Sequence, residues 1–585
     1  MINRTSSRPA AALGILLIAS IAGVTESGAG TAPHLLTAAT ESDAVSPALR
    51  IRREHSDTAR NQRRGHSIRS IDGSGNNRQT PAMGAANTPL RRRLAADYAD
   101  GVSQMAGADR PSARALSNII SAHSQHSLPN EVSASDFLWQ WGQFLDHDID
   151  LTDGTSPPEP AGIAVPAGDL HFDPDWSGDD YIAFNRSLYA IDTGTGSENP
   201  RQQINEITAW IDASNVYGSD ETRAQALRTN DGTGRLKTSD NDLLPFNVDG
   251  LPNAGGDSPA LFLAGDVRAN EQVGLTALHT LFVREHNRLA GIIARHKRHL
   301  DGDQIYEHAR RIVGAQMQAI TYNEYLPMLL GADALAPYRG YRQDVDAMIS
   351  NVFSGALYRY GHSALSPALA RLDKHGKEIR HGHLRLRDAF FAPHHITDEG
   401  GIEPLLRGLA NQMCEEVDVY VVDDVRNFLF GEPGAGGFDL VALNIQRGRD
   451  HGLPGYNDAR IGFGLQPAQT FADISSDPHI QARLASAYAT VDDLDVWVGG
   501  LAEDHLPGAM VGKLMYVSLK EQFEALRDGD RFWYERSLGR DDLRVVRRSS
   551  LADIIRRNTN IKREIGDNVF RVPEKRHKPR RRRDN

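Results

Sequence analysis

Apolar residues in this chain recur at the spacing of a buried helix face rather than with the alternation of a strand, and that pattern most limits the folds open to it. Phe137, Leu138, Trp141, Phe144 and Leu145 follow the i, i+3/i+4, i+7/i+8 rule, and so do Leu275, Leu278, Leu281, Phe282 and Leu289. Ile312, Met317 and Ile320 fit a further helix, while alternating patterns are scarce. The stretch VDVYVV at 417–422 is strand-like in composition and could equally belong to a helix. With 40% hydrophobic and 24% charged residues the composition is that of an ordinary globular protein, which excludes a fibrous or wholly disordered chain. From about residue 100 to 570 the sequence stays core-forming, with no convincing linker and no internal repeat. The expected fold is mainly α, a single large helical domain with little β structure. The 585 residues would otherwise allow about four average domains.

The two ends read differently. Arg4 and Arg8 precede the apolar stretch Ala10–Val24, and small residues follow at Ser27, Gly28 and Ala29, the pattern of an export signal over 1–29. That stretch is too short for a comfortable transmembrane helix, so the expected product is secreted, extracellular or periplasmic. Every one of the 40 aromatic residues lies at or after Tyr98, and the segment 30–65 is rich in Ser, Ala, Thr and Arg. Such a segment cannot bury enough surface to offset its ordering entropy and is expected to be a disordered leader or pro-segment. Residues 575–583, KRHKPRRRR, hold seven Lys/Arg, which leaves −17 over 1–574 against −11 for the whole chain. Residues 571–585 are expected to form a basic disordered tail, with adhesion to an anionic surface such as polysaccharide or lipid headgroups as the sharper hypothesis. The acidic balance argues against nucleic acid as a partner. A single cysteine, Cys414, excludes an intramolecular disulfide framework and thiolate-built zinc sites.

Five segments carry residues suited to chemistry. In WGQFLDHDIDLTDG (141–154), Gln143, Asp146, His147 and Asp150 fall on one side of a helix, and Asp148 projects about 100° from His147. One helix end could therefore serve two sites. The acidic run is not an EF-hand, since Leu151 stands where that loop requires Gly and Pro157 where it requires Glu. In TAWIDASNVYGS (208–219), Thr208, Asp212 and Ser214 offer oxygen ligands with the Trp210 carbonyl between them, and Asp148 would complete a set suited to a hard cation such as Ca²⁺. LAGDVRANEQ (263–272) places Arg268 and Glu271 just before a helix; YRYGHSAL (358–365) contains His362; LNIQRGRDHGLPGYN (443–457) follows. Taken singly, each is as readily structural as functional.

Together and in this order, the five segments resemble the peroxidase–cyclooxygenase superfamily, the animal-type haem peroxidases. WGQFLDHD, DASNVYGS, LFVREHNRLA (281–290), RYGH and NIQRGRDHGLPGYN are each near-literal family motifs, and RSIDGSGNN (69–77) is a weaker match. The resemblance covers roughly 66–570, giving a haem-peroxidase domain over 66–570. It implies haem b and Ca²⁺ as cofactors and hydrogen peroxide as oxidant. It implies His147 and Arg268 as the distal pair, with Gln143 lining the distal cavity near incoming halide. His362 matches the proximal iron ligand and Asn444 its hydrogen-bond partner, while Arg359 and Arg447 match arginines that pair with the haem propionates. Asp146 and Glu271 match the carboxylates that form ester bonds to haem methyl groups. Asp148, Thr208, Trp210 by its carbonyl, Asp212 and Ser214 match the family's calcium site.

The chemistry accounts for these residue types. A haem iron held by one neutral imidazole leaves its opposite face open to peroxide. His147 could take the proton from one peroxide oxygen and return it to the departing one, and it must be neutral to do so, as expected in a largely apolar cavity. Arg268 cannot lose its charge and could stabilise the leaving oxygen. An amide at Asn444 orients His362 without adding a carboxylate's charge. The implied activity is peroxide-dependent oxidation of small anionic or phenolic reductants through a ferryl intermediate.

Departures from the pattern refine the expectation. Position 272 is Gln rather than the Met that gives myeloperoxidase its third haem link, so the pattern is closer to lactoperoxidase, with bromide, iodide, thiocyanate or phenols oxidised more readily than chloride. Gly75 stands where animal members commonly carry Cys, pointing to a bacterial-type secreted member. The superfamily's fatty-acid dioxygenases place a radical-forming Tyr three residues before the proximal His, where this chain has Arg359. Tyr358 and Tyr360 flank that position and are expected to point elsewhere. A dioxygenase, or a non-catalytic secreted adhesion protein keeping the fold, are the alternatives.

Overall fold

The computed structural model describes residues 68–122 and 127–573. The expected export signal, the leader, and the tail from 574 onward lie outside the described residues. Three long helices follow the predicted periodicity: α1 (Phe137–Ile149), α2 (Val273–His296) and α3 (Gly302–Ile320). Four more frame them: α4 (Glu403–Asn411), α5 (Leu440–Asp450), α6 (Lys513–Asp528) and α7 (Leu551–Asn558).

β-Structure is confined to three antiparallel pairs of two residues each among the described residues. Thr88 pairs with Asn205, Ile163 with Ile182, and Ala368 with Arg385. Residues 417–422 are neither strand nor helix; a single bridge from Ala122 to Val421 is their one regular contact. Val417, Val419 and Val421 are buried nonetheless, so burial rather than sheet pairing accounts for their apolar character. Among the described residues no helix is long and apolar enough to cross a membrane.

α1 is buried nearly all round, with only Gln143 and Asp146 part-exposed, and runs through the core. Trp141 packs against Phe144, Phe282 and Phe570, joining α1 to α2 and to the C-terminal segment. α2 starts where the Gln272 side chain accepts the Gly274 N–H, and α3 starts on a capping box between Asp301 and Gln304. The REHN portion of 281–290 is absorbed by structure. Buried Glu285 accepts from Arg288, Gln316, Arg557 and Asn558, which ties α2 to α3 and α7. His286 lies between the Tyr217 hydroxyl and the Gly234 carbonyl, 2.9 Å from each. Segment 69–77 is anchored as well, with Arg69 and Asn76 both 2.8 Å from Asp530.

At Gly265 a Cβ would lie 2.4 Å from the Ser214 carbonyl oxygen and 2.5 Å from the Tyr217 nitrogen. Only glycine allows the 263–268 loop to pack directly on the 212–217 loop. Asp266 N–H then donates to the Asn215 carbonyl at 2.9 Å. This contact joins the loop that carries Arg268 to the loop that carries Asp212 and Ser214.

Candidate active site

α1, the loop preceding α2, a turn at Arg359–His362 and α5 enclose a cavity of about 390 Å³. The turn follows directly on a π-helical stretch, Phe353–Leu357, a distortion that recurs at functional positions. His147 and His362 line the same cavity from separate elements. Gln143, Asp146, Arg268 and Glu271 line it with His147, and Arg359, Asn444 and Arg447 line it with His362. All nine residues matched to haem chemistry therefore converge on one space, although they span three hundred positions of sequence.

On the α1 side, His147 is 4% exposed, and its Nδ1 stands 3.5 Å from Asp266 Oδ1. Burial holds this imidazole well below its ordinary pKa of 6.5, the Arg268 cation pushes it further down, and the Asp266 charge opposes both. Desolvation is the larger cause, as expected, and the Arg268 charge adds to it. Asp146, Asp150, Asp153, Glu271 and three arginines line the walls, and the ring is neutral because it is desolvated beside a guanidinium.

Asp266 is the residue sequence reasoning missed. It accepts from Arg268 Nε at 2.9 Å, from Nη2 at 2.9 Å and from the Arg268 backbone N–H at 2.8 Å. Arg268 Nη2 also donates to the Asp150 carbonyl at 2.8 Å. Burial works to raise the Asp266 carboxyl, but Arg268 and then His147 outweigh it and hold Asp266 well below the carboxylate range. A carboxylate two residues before an arginine was the available signal. That it also faces His147 is legible only in three dimensions.

Gln143 donates to Glu271 Oε2 at 3.1 Å and accepts from Gln272 Nε2 at 3.1 Å. Gln272 donates to buried Gln140 at 2.6 Å, so an unbroken amide network spans from α1 to the start of α2. Desolvation pushes both Asp146 and Glu271 up to about 7; Asp150 adds to the first and Arg268 opposes each. Asp146 lies 3.5 Å from Arg268 Nη1.

On the opposite side, the Asn444 amide lies 2.7 Å from His362 Nδ1, and Asn444 Oδ1 accepts from Arg359 Nη1 at 3.2 Å. Burial and the nearby Arg359 charge lower His362 to about 3, so the ring is neutral, and its Nε2 makes no hydrogen bond among the described residues. A neutral imidazole with one nitrogen held and the other free is the donor a haem iron requires. Arg359 donates to the Ser354 carbonyl and Asn444 but makes no ion pair among the described residues. Arg447 pairs with Asp450 at 3.1 Å, yet burial and Arg359's charge still lower it to about 10. Two buried guanidiniums weakly supplied with counter-charge suit the propionates of a haem. Tyr358 and Tyr360, expected to point elsewhere, line the cavity. Their hydroxyls meet Tyr325 at 3.2 and 2.6 Å, because the tight turn turns both rings back under α1.

Asp148 leaves α1 on the other face, as its position beside His147 implied. Its carboxylate accepts backbone N–H groups of Asp212, Ala213 and Asn215 at 3.1–3.2 Å, and the Ser214 hydroxyl donates to its carbonyl at 2.8 Å. Thr208 Oγ1 lies 3.2 Å from Asp212 Oδ1, and the Trp210 indole anchors the loop on the Gly73 carbonyl at 3.1 Å. Burial, then the charge of Asp212, pushes Asp148 well above the carboxylate range. Asp212 Oδ2 is buried without a hydrogen-bond partner; Arg69 Nε is 3.9 Å away. Two buried carboxylates with an orphaned oxygen, among hydroxyls and carbonyls, suit a hard cation. No group of three or more His, Cys, Asp or Glu that could hold a metal exists among the described residues, so such a cation would rest on mixed oxygen donors.

A helical fold with two neutral histidines on one cavity, flanked by guanidiniums, defines the class of a haem-dependent peroxidase. The chain belongs to the animal haem peroxidase family, whose family model matches residues 68–570. It is 39% identical to peroxinectin A of Dictyostelium discoideum over 520 residues, covering 86% of this chain and 96% of that protein. The solved peroxidase A of Dictyostelium discoideum superposes with a TM-score of 0.81 at 37% identity, covering 87% of this chain and all of that one. A rice fatty acid α-dioxygenase shares the fold, with a TM-score of 0.73 at 21% identity, over 86% of this chain and 87% of that one. The protein is a haem peroxidase, with haem as the family's cofactor and hydrogen peroxide and a reductant as its substrates.

Proposed function

We propose that this protein is a secreted haem peroxidase that uses hydrogen peroxide to oxidise bromide, iodide, thiocyanate or phenolic donors, and chloride poorly. The observation that carries the reading is the pair His147 and His362, both held neutral on the walls of one cavity. Haem, when bound, supplies the redox chemistry. His362, oriented by Asn444, would hold it through Nε2, and Arg359 and Arg447 would receive its carboxylates. His147 takes a proton from one peroxide oxygen and delivers it to the other. Arg268, kept charged by Asp266, stabilises the negative charge on the leaving oxygen. Gln143 orients the incoming donor from its network with Glu271 and Gln272. Asp146 and Glu271 are the proposed points of ester attachment, each facing the cavity. Export rests on the sequence of residues 1–29, and tail adhesion on 575–583.

The test is a haem-loaded preparation assayed with peroxide against bromide, chloride and guaiacol. Bromide and guaiacol turnover well above chloride is expected, with a Soret band that survives acid–ketone extraction. A colourless protein after haem supplementation overturns the reading. Linoleate with O₂ and no peroxide tests dioxygenation; regiospecific hydroperoxide would favour that alternative, against which Arg359 stands in the radical tyrosine's place.

Asp148, Thr208, the Trp210 carbonyl, Asp212 and Ser214 are proposed to bind Ca²⁺. The loop reaches the neighbours of both catalytic residues, since the Asn215 carbonyl accepts the Asp266 N–H and its side chain donates to the Phe144 carbonyl at 2.6 Å, one turn before His147 and Asp148. Chelation is therefore expected to lower peroxidase turnover and unfolding midpoint together, with Ca²⁺ restoring both. At a hundredfold excess over Kd the ion would contribute about 2.7 kcal/mol. Unchanged turnover after chelation, with loss of bound calcium verified by elemental analysis, would sever the coupling.

A further inference from the structure

Trp139 lies on α1 three residues from Asp136 and donates its indole N–H to Asp136 Oδ1 at 3.0 Å. Both side chains are buried, at 2% and 0% exposure. Trp139 nevertheless lines the cavity, and its Cβ lies 3.8 Å from where a Cβ on Gly361, the residue before His362, would stand. Asp136 Oδ1 also accepts from Ser366 at 2.7 Å, while Oδ2 is buried with no partner. Neither residue has a part in the peroxide chemistry described above.

Other aromatic residues on the cavity differ in one respect. The Tyr358 and Tyr360 hydroxyls meet another phenol, Tyr325, and burial holds all three far above their usual pKa. Among the described residues, Trp139 alone of the cavity-lining aromatics hydrogen-bonds a carboxylate. Removing an electron from a buried indole leaves positive charge in a medium of low dielectric, which is costly unless a counter-charge or a proton acceptor adjoins it.

We propose that Trp139 is a redox residue that takes one of the two oxidising equivalents of peroxide from the haem, with Asp136 as its proton acceptor. The proposal rests on the haem-peroxidase reading. One electron passes from the indole to the peroxide-oxidised haem, and the Nε1 proton passes to Asp136 Oδ1, leaving a neutral indolyl radical and a carboxylic acid. A donor then returns one electron to the indole while Asp136 returns the proton, restoring both groups. Desolvation pushes Asp136 up to about 7, against its bonds from Ser366 and Trp139, so the carboxyl can hold and release a proton near neutrality. This stores an oxidising equivalent in the cavity wall.

The test is electron paramagnetic resonance of the haem-loaded full chain, frozen after one equivalent of peroxide, with the Soret band followed in the same samples. An organic radical is expected whose hyperfine structure narrows when the protein is grown with indole-deuterated tryptophan. Trp139→Phe is expected to lose it, and Asp136→Asn to reduce its yield at least several-fold. The isotope arm uses the unmutated protein, so absence of a tryptophan radical overturns the proposal even where a variant fails to fold. A Soret band that responds to peroxide with no tryptophan radical, with a tyrosyl radical alone, or with a tryptophan radical persisting in Trp139→Phe, overturns the proposal. A Soret band indifferent to peroxide overturns instead the reading on which it rests.

Discussion

Replacing His147 by alanine is expected to slow the reaction with hydrogen peroxide by about 10²–10⁴, the usual contribution of a positioned acid–base group. Stopped-flow measurement of the Soret change against peroxide concentration reads this directly. The pH dependence carries a sign. His147 works as the neutral base, and burial beside Arg268 depresses its pKa well below 6.5, so the rate should not fall as pH drops through 6.5. It should fall only further into acid, as the ring finally protonates. Asp266 opposes that depression, so Asp266→Asn should move the acid limb to still lower pH. Before ester attachment Asp146 and Glu271, each pushed up to about 7, titrate in their own right, and Asp146→Asn and Glu271→Gln identify any inflection that belongs to an unesterified carboxyl. An unaltered peroxide rate in the alanine variant would remove His147 from the mechanism.

Asp266→Ala is the second large effect. It leaves the buried Arg268 without the carboxylate that accepts two hydrogen bonds from its guanidinium and one from its backbone N–H. Removing one partner of a buried charge pair costs about 3–5 kcal/mol, because the remaining charge is uncompensated. Urea unfolding of the haem-loaded protein is expected to show that loss, accompanied by a slower peroxide reaction as Arg268 swings from its place. Asp266→Asn, which keeps one acceptor oxygen, should fall between. A variant with wild-type midpoint and wild-type peroxide rate would show that Arg268 is held by Asp150 and the cavity wall alone.

Much of the site was legible because its chemistry sits in short contiguous segments. Gln143, Asp146 and His147 share a face of α1 by helical geometry alone, and Asp148, about 100° away, had to serve a different neighbour. The two tyrosines beside Arg359 line the cavity because the chain leaves a π-helical stretch in a tight turn there, which no local pattern in the sequence announces. Residues 417–422 misled in another way, since buried valines alternate there without any partner strand.

What the amino-acid order determined by itself was the helical class, from apolar spacing, and the identity of the chemistry-bearing residues, from motifs whose members are close in sequence. Tertiary structure alone decided which charges face one another. Asp266 meets His147 from a loop more than a hundred residues away, and Asn444 meets His362 from another helix. Gly265 permits the contact between the two polar loops. Periodicity is a local property of the backbone, readable along the chain. Protonation state depends on desolvation and on charges through space, and those exist only once the chain has folded.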